Sequence, residues 1–222
     1  MFATIAPRYD LANRVLSLRV DTWWRRLVAR LLLASPGLVL DLASGTGDLS
    51  IELNREGKHE VISADFTFDM LLAGRKKLAP FRHSLHQLSA DGMLLPFRDD
   101  IFDGAAIAFG IRNFEDPLAG LGELARVVRP GGVVGVLEFS APSPLIRFFY
   151  RPYFHHVLPR LGGVLTGSRA SYEYLTRSVG EFPEGVAFVD LMTRAGLIEV
   201  QAKRLTGGIA TFYRGEKPCP HD

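Results

Sequence analysis

The chain has 222 residues, a formal charge of +2 and one cysteine. That length fits a single α/β domain with an appended lid, the charge is too small for a general nucleic-acid binder, and Cys219 alone excludes an internal disulfide. Hydrophobic residues make up 47% of the chain and mean hydropathy is +0.12, yet no run approaches the ~20 uninterrupted apolar residues of a membrane span. Arg30 interrupts the apolar stretch 27–34, and Arg8 and Asp10 stand where a signal peptide would be apolar. A cytoplasmic location follows as the expectation. No Cys/His spacing resembles a zinc site, so no metal is expected.

Residues 1–36 read as a helical cap. Trp24, Leu27, Val28 and Leu31 recur at i, i+3, i+4 and i+7, with Arg25, Arg26 and Arg30 off that stripe. The pattern predicts a packing helix with a solvated basic face, preceded by a segment, 1–20, that folds over a cofactor mouth. Strands follow at 38–42, 60–65, 84–89, 104–109 and 132–139, alternating with helices as in a doubly wound parallel sheet. The clearest helix begins at Asp116-Pro117, an N-cap followed by proline in the first turn. Its apolar stripe is Leu121, Leu124, Ala125 and Val128, and Pro130-Gly131-Gly132 ends it. Alternation then fails over 141–182, which is expected to be an inserted lid. Within it, 144–166 mixes aromatics, arginines and prolines, a composition suited to a bilayer interface as well as to packing. A helix fits 184–195, and strands at 197–204 and 209–214 flank Thr206-Gly207-Gly208, a joint for a hairpin. The outline is one α/β domain, 1–222: a mostly parallel seven-stranded sheet whose last strand is antiparallel. That is the plan of a class I, Rossmann-like, S-adenosylmethionine-dependent methyltransferase.

The chemistry concentrates where the first strand ends. Asp41 closes an apolar run and Gly45-Thr46-Gly47 opens onto a helix, glycines letting a nucleoside cofactor approach the main chain. Gly45-x-Gly47-x-x-Ser50 also lies close to the dinucleotide fingerprint, and Asp65 could accept from ribose hydroxyls under either reading. An NAD-dependent oxidoreductase is therefore the rival, disfavoured by Ser50 and by the closing hairpin. Asp41 is placed to hold the loop or to reach the amino group of a methionine moiety. Asp91-Gly92, ending the third strand, is placed to accept from an adenine amino group. Each has a bland alternative: Asp41 as a loop-capping acid, Asp91 as a turn residue.

Four segments are more specific. They are Tyr9-Asp10-Leu-Ala-Asn13-Arg-Val-Leu16-Ser17 with Trp24 beyond; Phe109-Gly110-Ile111-Arg112-Asn113; Arg126-Val-Val-Arg129-Pro130-Gly131-Gly132 running on to Glu138-Phe139-Ser140; and Leu205-Thr206-Gly207-Gly208-Ile209. Together they resemble the ubiquinone/menaquinone biosynthesis C-methyltransferase family. Ala12, Asp21 and Ala108 depart from a pattern that more often has Met, His and Ser. The resemblance implies S-adenosylmethionine as methyl donor, with contacts at Thr46, Asp65, Asp91 and Gly92. It also implies C-methylation of a polyprenylated quinol, demethylmenaquinol before the equivalent benzoquinol. Arg112 and Asn113, beside an otherwise apolar stretch, are expected to orient the quinol oxygen, with Tyr9 completing the set. The alternative for Arg112 is an ion pair with Glu115 or Asp116. Glu138, His155 and His156 are further candidates for a base. Because the substrate is a lipid, the resemblance implies transient contact with the inner face of the membrane. A homodimer or a quinone-synthesis complex is a further expectation.

Overall fold

The chain runs α1 (Tyr9–Leu16), α2 (Val20–Leu32), β1 (Leu38–Leu42), α3 (Asp48–Gly57), β2 (Glu60–Asp65), α4 (Phe68–Leu78), β3 (Leu85–Ser89), β4 (Phe102–Ala108), α5 (Pro117–Val127), β5 (Val128–Phe139), α6 (Arg169–Glu181), α7 (Val186–Arg194), β6 (Ile198–Leu205) and β7 (Ala210–Glu216). In this computed structural model the structure describes residues 9–144, positions 146, 148, 153 and 160, and residues 169–219. The strands form one sheet in the order β3-β2-β1-β4-β5-β7-β6. All neighbours are parallel except β7, which runs antiparallel to both β5 and β6. The first three strands step outward from β1, and the chain then returns to place β4 on its other side. The carboxyl ends of β1 and β4 therefore flank a topological switch point, where this kind of sheet opens a crevice for ligands.

Strand periodicity divides the core between the two faces. Leu40 and Leu42 of β1, with Ala105 and Ile107 of β4, pack with Leu121 and Leu124 of α5 and Phe188 and Met192 of α7. Val39 and Ala106 point to the other face and meet Trp24, Val28 and Leu32 of α2 and Leu53 of α3. Asp116 caps α5 as expected, accepting from the Leu118 and Ala119 amides at 2.9 and 3.1 Å.

Three details differ from the expectation. The buried stripe of α2 is Asp21, Trp24, Arg25, Val28, Ala29 and Leu32, so Leu31 is exposed and Arg25 faces inward. β5 starts at Val128: Phe102 pairs with Val128 and Gly104 with Val133, leaving Pro130-Gly131-Gly132 as a bulge inside the strand. Gly131 takes φ +73° there, and its N–H donates to the Lys217 carbonyl, which anchors the bulge to the end of β7. Finally, α6 occupies the end of the stretch where alternation fails.

Candidate active site

The turn after β1 is built from residues in left-handed conformations: Ala43, Gly45 and Gly47 have φ of 50°, 58° and 85°. Glycine meets this demand without the strain a side chain would bring. The Asp65 carboxylate, at the end of β2, holds the turn open by accepting the Gly45 N–H at 2.7 Å and the Thr67 N–H at 2.7 Å. A Cβ at Gly74 of α4 would lie 2.4 Å from the Thr46 carbonyl oxygen, so that glycine lets α4 back closely onto the loop. The result is a cavity of about 370 Å³ along the carboxyl ends of β1, β2 and β4, lined by Asp41, Gly45, Asp65, Asp91, Phe109 and Asn113, with Phe114 packed against Gly92.

The polar end of this cavity is chemically incomplete. Asp41 is buried; one oxygen accepts from Ser50 Oγ at 2.5 Å, while the other is buried without a hydrogen-bond partner, as is Ser44 Oγ. Burial raises the Asp41 pKa from 3.8 to about 7, because a carboxylate deprived of water and of a full partner set prefers its neutral form. Asp65 is shifted upward for the same reason, though the two backbone N–H donors oppose the shift.

Phe109 and Phe139 stack with centroids 4.4 Å apart, and Trp24 stands 5.9 and 6.3 Å from them. Phe109 has φ 60°, a strained conformation for an aromatic residue, and such strain concentrates at functional sites. Arg112 lies behind this cluster. Its Nη1 donates to Glu138 Oε1 at 2.7 Å and to the Phe109 carbonyl at 2.6 Å, and its guanidinium sits 5.6 Å from the Phe139 ring. Its acidic partner is thus Glu138, across the sheet on β5, in place of the expected Glu115 or Asp116. Arg112 Nε and Glu138 Oε2 are both buried without partners. Burial pushes the Glu138 pKa up, against the pull of Arg112.

Residues 1–217 match the ubiE/COQ5 methyltransferase family. The chain belongs to that family. It is 46% identical over 220 residues to a demethylmenaquinone methyltransferase of Deinococcus radiodurans, covering 98% of this chain and 91% of that one. It is 45% identical over 221 residues to a demethylmenaquinone methyltransferase of Thermus thermophilus, covering 98% and 100%. A ubiquinone/menaquinone biosynthesis C-methyltransferase of Geobacter sp. strain M21 is 44% identical over 223 residues, covering 98% and 94%. Among solved structures, an S-adenosylmethionine-dependent methyltransferase of Thermotoga maritima has the same fold, with TM-score 0.68, 22% identity and coverage of 98% and 100%. A second, from Methanococcus maripaludis, has TM-score 0.70 at 16% identity, covering 99% and 95%. The enzyme is thus a class I methyltransferase of the ubiE/COQ5 family, and S-adenosylmethionine is its methyl donor.

This chain's own residues fit that donor. Two positive-φ glycines bring the main chain to the crevice, and an unpartnered carboxylate oxygen at Asp41 and hydroxyl at Ser44 await polar groups. Six of the seven predicted cofactor residues (Asp41, Gly45, Thr46, Asp65, Asp91 and Gly92) line the cavity; Gly47 stands just outside it as the N-cap of α3. Of the predicted catalytic set, Asn113 lines the cavity, and its Oδ1 accepts from Tyr174 of α6 at 3.2 Å. Arg112 is directed to Glu138. Tyr9 opens α1, but its side chain lies outside the described residues, as do His155 and His156. Sequence reasoning missed Arg25, Met70, Phe109 and Phe114 as lining residues. Arg25 had a signal: Asp21 stands four positions before it, the spacing of a helical ion pair.

Proposed function

We propose that this enzyme methylates a ring carbon of a polyprenylated quinol, converting demethylmenaquinol to menaquinol in respiratory quinone biosynthesis. The observation that carries this reading is one cavity in which an acid-lined nucleoside crevice opens onto Phe109 and Asn113. Relatives of 45–46% identity named as demethylmenaquinone methyltransferases support the choice of ring. S-adenosylmethionine bound in the crevice supplies a methyl group activated on a sulfonium. Asp91 and Gly92 hold its adenine in this reading, Asp65 its ribose, and Asp41 with the Gly45-Thr46-Gly47 turn its amino-acid end.

A phenolic oxygen that gives up its proton to water enriches the ring carbon ortho to it. That carbon takes the methyl as the carbon–sulfur bond breaks, then sheds its own hydrogen as the phenol re-forms, one proton passing to water overall. The protein must therefore hold that oxygen and stabilise its charge. We assign the direct contacts to the Asn113 amide and, from the cap, to Tyr9. Arg112, held by Glu138, stabilises the developing anion through a dry, low-dielectric interior where a fixed charge acts strongly. A closed aromatic pocket also aligns the partners, a contribution of roughly 7–11 kcal/mol when alignment is good. Residues 1–222 act as one domain in this reading, with 1–36 as cap and 141–182 as lid, although 1–8 and most of 145–168 lie outside the described residues. The protein works from the cytoplasm in reversible contact with the inner membrane face.

The assay supplies purified enzyme with S-adenosylmethionine and a short-chain demethylmenaquinone, oxidised or reduced. The product is expected to gain one methyl group only from the reduced quinol. Arg112→Ala is expected to lower turnover, by less than the roughly 10²–10³-fold of a lost direct oxyanion donor, with S-adenosylhomocysteine affinity unchanged, whereas unaltered turnover removes Arg112 from the mechanism. A higher kcat/KM with the matching benzoquinol would reverse the choice of ring and leave the reaction class standing.

A further inference from the structure

Three arginines lie close together on α2, and two of them behave as ordinary surface cations. Arg26 and Arg30 have side chains 50% and 63% exposed, paired to Glu52 and Glu56 of α3. Arg25 does not. Its side chain is 9% exposed, it lines the cavity, and its guanidinium sits 5.3 Å from the Phe109 ring. Burying a guanidinium is costly unless it is paired and oriented. Here Nη1 donates to Asp21 Oδ2 at 2.5 Å, and Ser17 Oγ donates to the other oxygen of Asp21 at 2.5 Å. An acid–hydroxyl pair from the α1–α2 junction therefore aims a fixed positive charge at the cavity.

Its counterpart is an acid of β1. Asp41 lines the same cavity with one oxygen buried and unpartnered, and the Arg25 charge acts on it. The neighbouring acids are served by other groups. Asp48, which also feels Arg25, has Lys77 Nζ at 2.6 Å, and Asp65 is held by two backbone N–H groups. A cation and an anion facing one small space match a zwitterion, and the α-amino acid group is the zwitterionic end of S-adenosylmethionine.

We infer that Arg25 receives the carboxylate of the cofactor's amino-acid end while Asp41 receives its ammonium, with Asp21 as the positioning residue that holds Arg25 in place. This rests on the reading of the cavity as the S-adenosylmethionine site. Arg25 thereby reaches the cofactor from a helix whose apolar face is already packed on the sheet.

The test is calorimetric titration of the full chain with two ligands. S-adenosylhomocysteine carries the amino-acid end; 5′-methylthioadenosine keeps the adenosine and the thioether and lacks it. In the wild type the first is expected to bind more tightly. Arg25→Gln is expected to weaken S-adenosylhomocysteine about ten- to a hundredfold, the range for a lost charge-assisted hydrogen bond, and to change methylthioadenosine affinity less than about twofold on the same reasoning. Asp21→Asn is expected to give a smaller loss in the same pattern, and Arg25→Lys to recover part of it. Equal losses for both ligands, or no loss for either, overturn the assignment. Should the glutamine variant fail to fold, the wild type answers alone: an analogue of S-adenosylhomocysteine without its carboxylate must bind at least tenfold more weakly, and equal affinity overturns the inference. A wild type that binds neither nucleoside overturns the cofactor reading itself, and the inference with it.

Discussion

Asp41 turns burial into a pH dependence. Its pKa rises from 3.8 to about 7 because burial disfavours the charged form, with the Ser50 hydrogen bond and Arg25 only partly offsetting this. The sign follows from proton counting. Between about pH 4 and 7 the folded ligand-free protein keeps a proton that the unfolded chain has released. This contribution to stability is complete below that window and is lost as pH rises through it. Ligand binding runs the other way, since an ammonium needs the ionised carboxylate. S-adenosylhomocysteine affinity is expected to rise from pH 6 towards pH 8, by up to about tenfold per unit below 7 and flattening above. Asp41→Asn is expected to bind more weakly with no such slope; calorimetry across the range checks both, and a slope that survives the substitution assigns it elsewhere. Asp41 and the glycines were legible in the sequence because they answer to backbone geometry, which local spacing encodes. The acidic partner of Arg112 was not. Glu138 lies 26 residues away on a neighbouring strand, whereas Glu115 and Asp116 were merely near in the chain.

At the level of elements, α1 depends on what it touches. It has 8 residues, too few for a helix to persist alone in water. Asp10 accepts from Thr46 Oγ at 2.5 Å and from Lys77 Nζ at 2.6 Å, and Lys77 also donates to Asp48 at 2.6 Å. One network thus ties the first helix to the glycine turn and to α4. The ionic groups are about a quarter exposed, so solvent screening limits the tie to about 1 kcal/mol or less. Asp10→Asn or Lys77→Met is expected to speed amide exchange in 9–16 by roughly fivefold, the factor that energy implies, and to leave β1 and β4 unchanged. Uniform acceleration across the sheet would show instead that the network supports the whole fold. Sequence patterning found the strands within a few residues because strands covered on both faces read as short continuous apolar runs bounded by turn residues. It misplaced the stripe of α2, where one residue is a 100° rotation and Trp24 is compatible with either face. It also missed α6, whose Tyr174 hydroxyl donates to Asn113 in the site.

For the whole molecule, the question is how a protein reaches a substrate that does not leave the bilayer. Among the described residues no helix is long and apolar enough to cross a membrane. Burial of lipid is worth about 0.8 kcal/mol per CH₂, so each five-carbon isoprene unit adds about 4 kcal/mol and slows escape into water by roughly three orders of magnitude. With several units the tail stays in the membrane, and under the function proposed above the enzyme visits the ring there. The cap offers apolar groups for a visit: Leu11, Leu18 and Trp23 are 57%, 82% and 51% exposed. A surface contact of this kind is weak and reversible, comparable to a single acyl anchor with an association constant near ~10⁴ M⁻¹. In flotation with vesicles lacking substrate, a partial fraction of the enzyme is expected to rise with the lipid, growing with lipid concentration. Activity on bilayer-embedded quinol should track that fraction, while activity on a tail-less quinol in solution should not. An enzyme that stays wholly in the aqueous layer yet methylates embedded quinol at the same rate would show that the ring is delivered to it by another carrier.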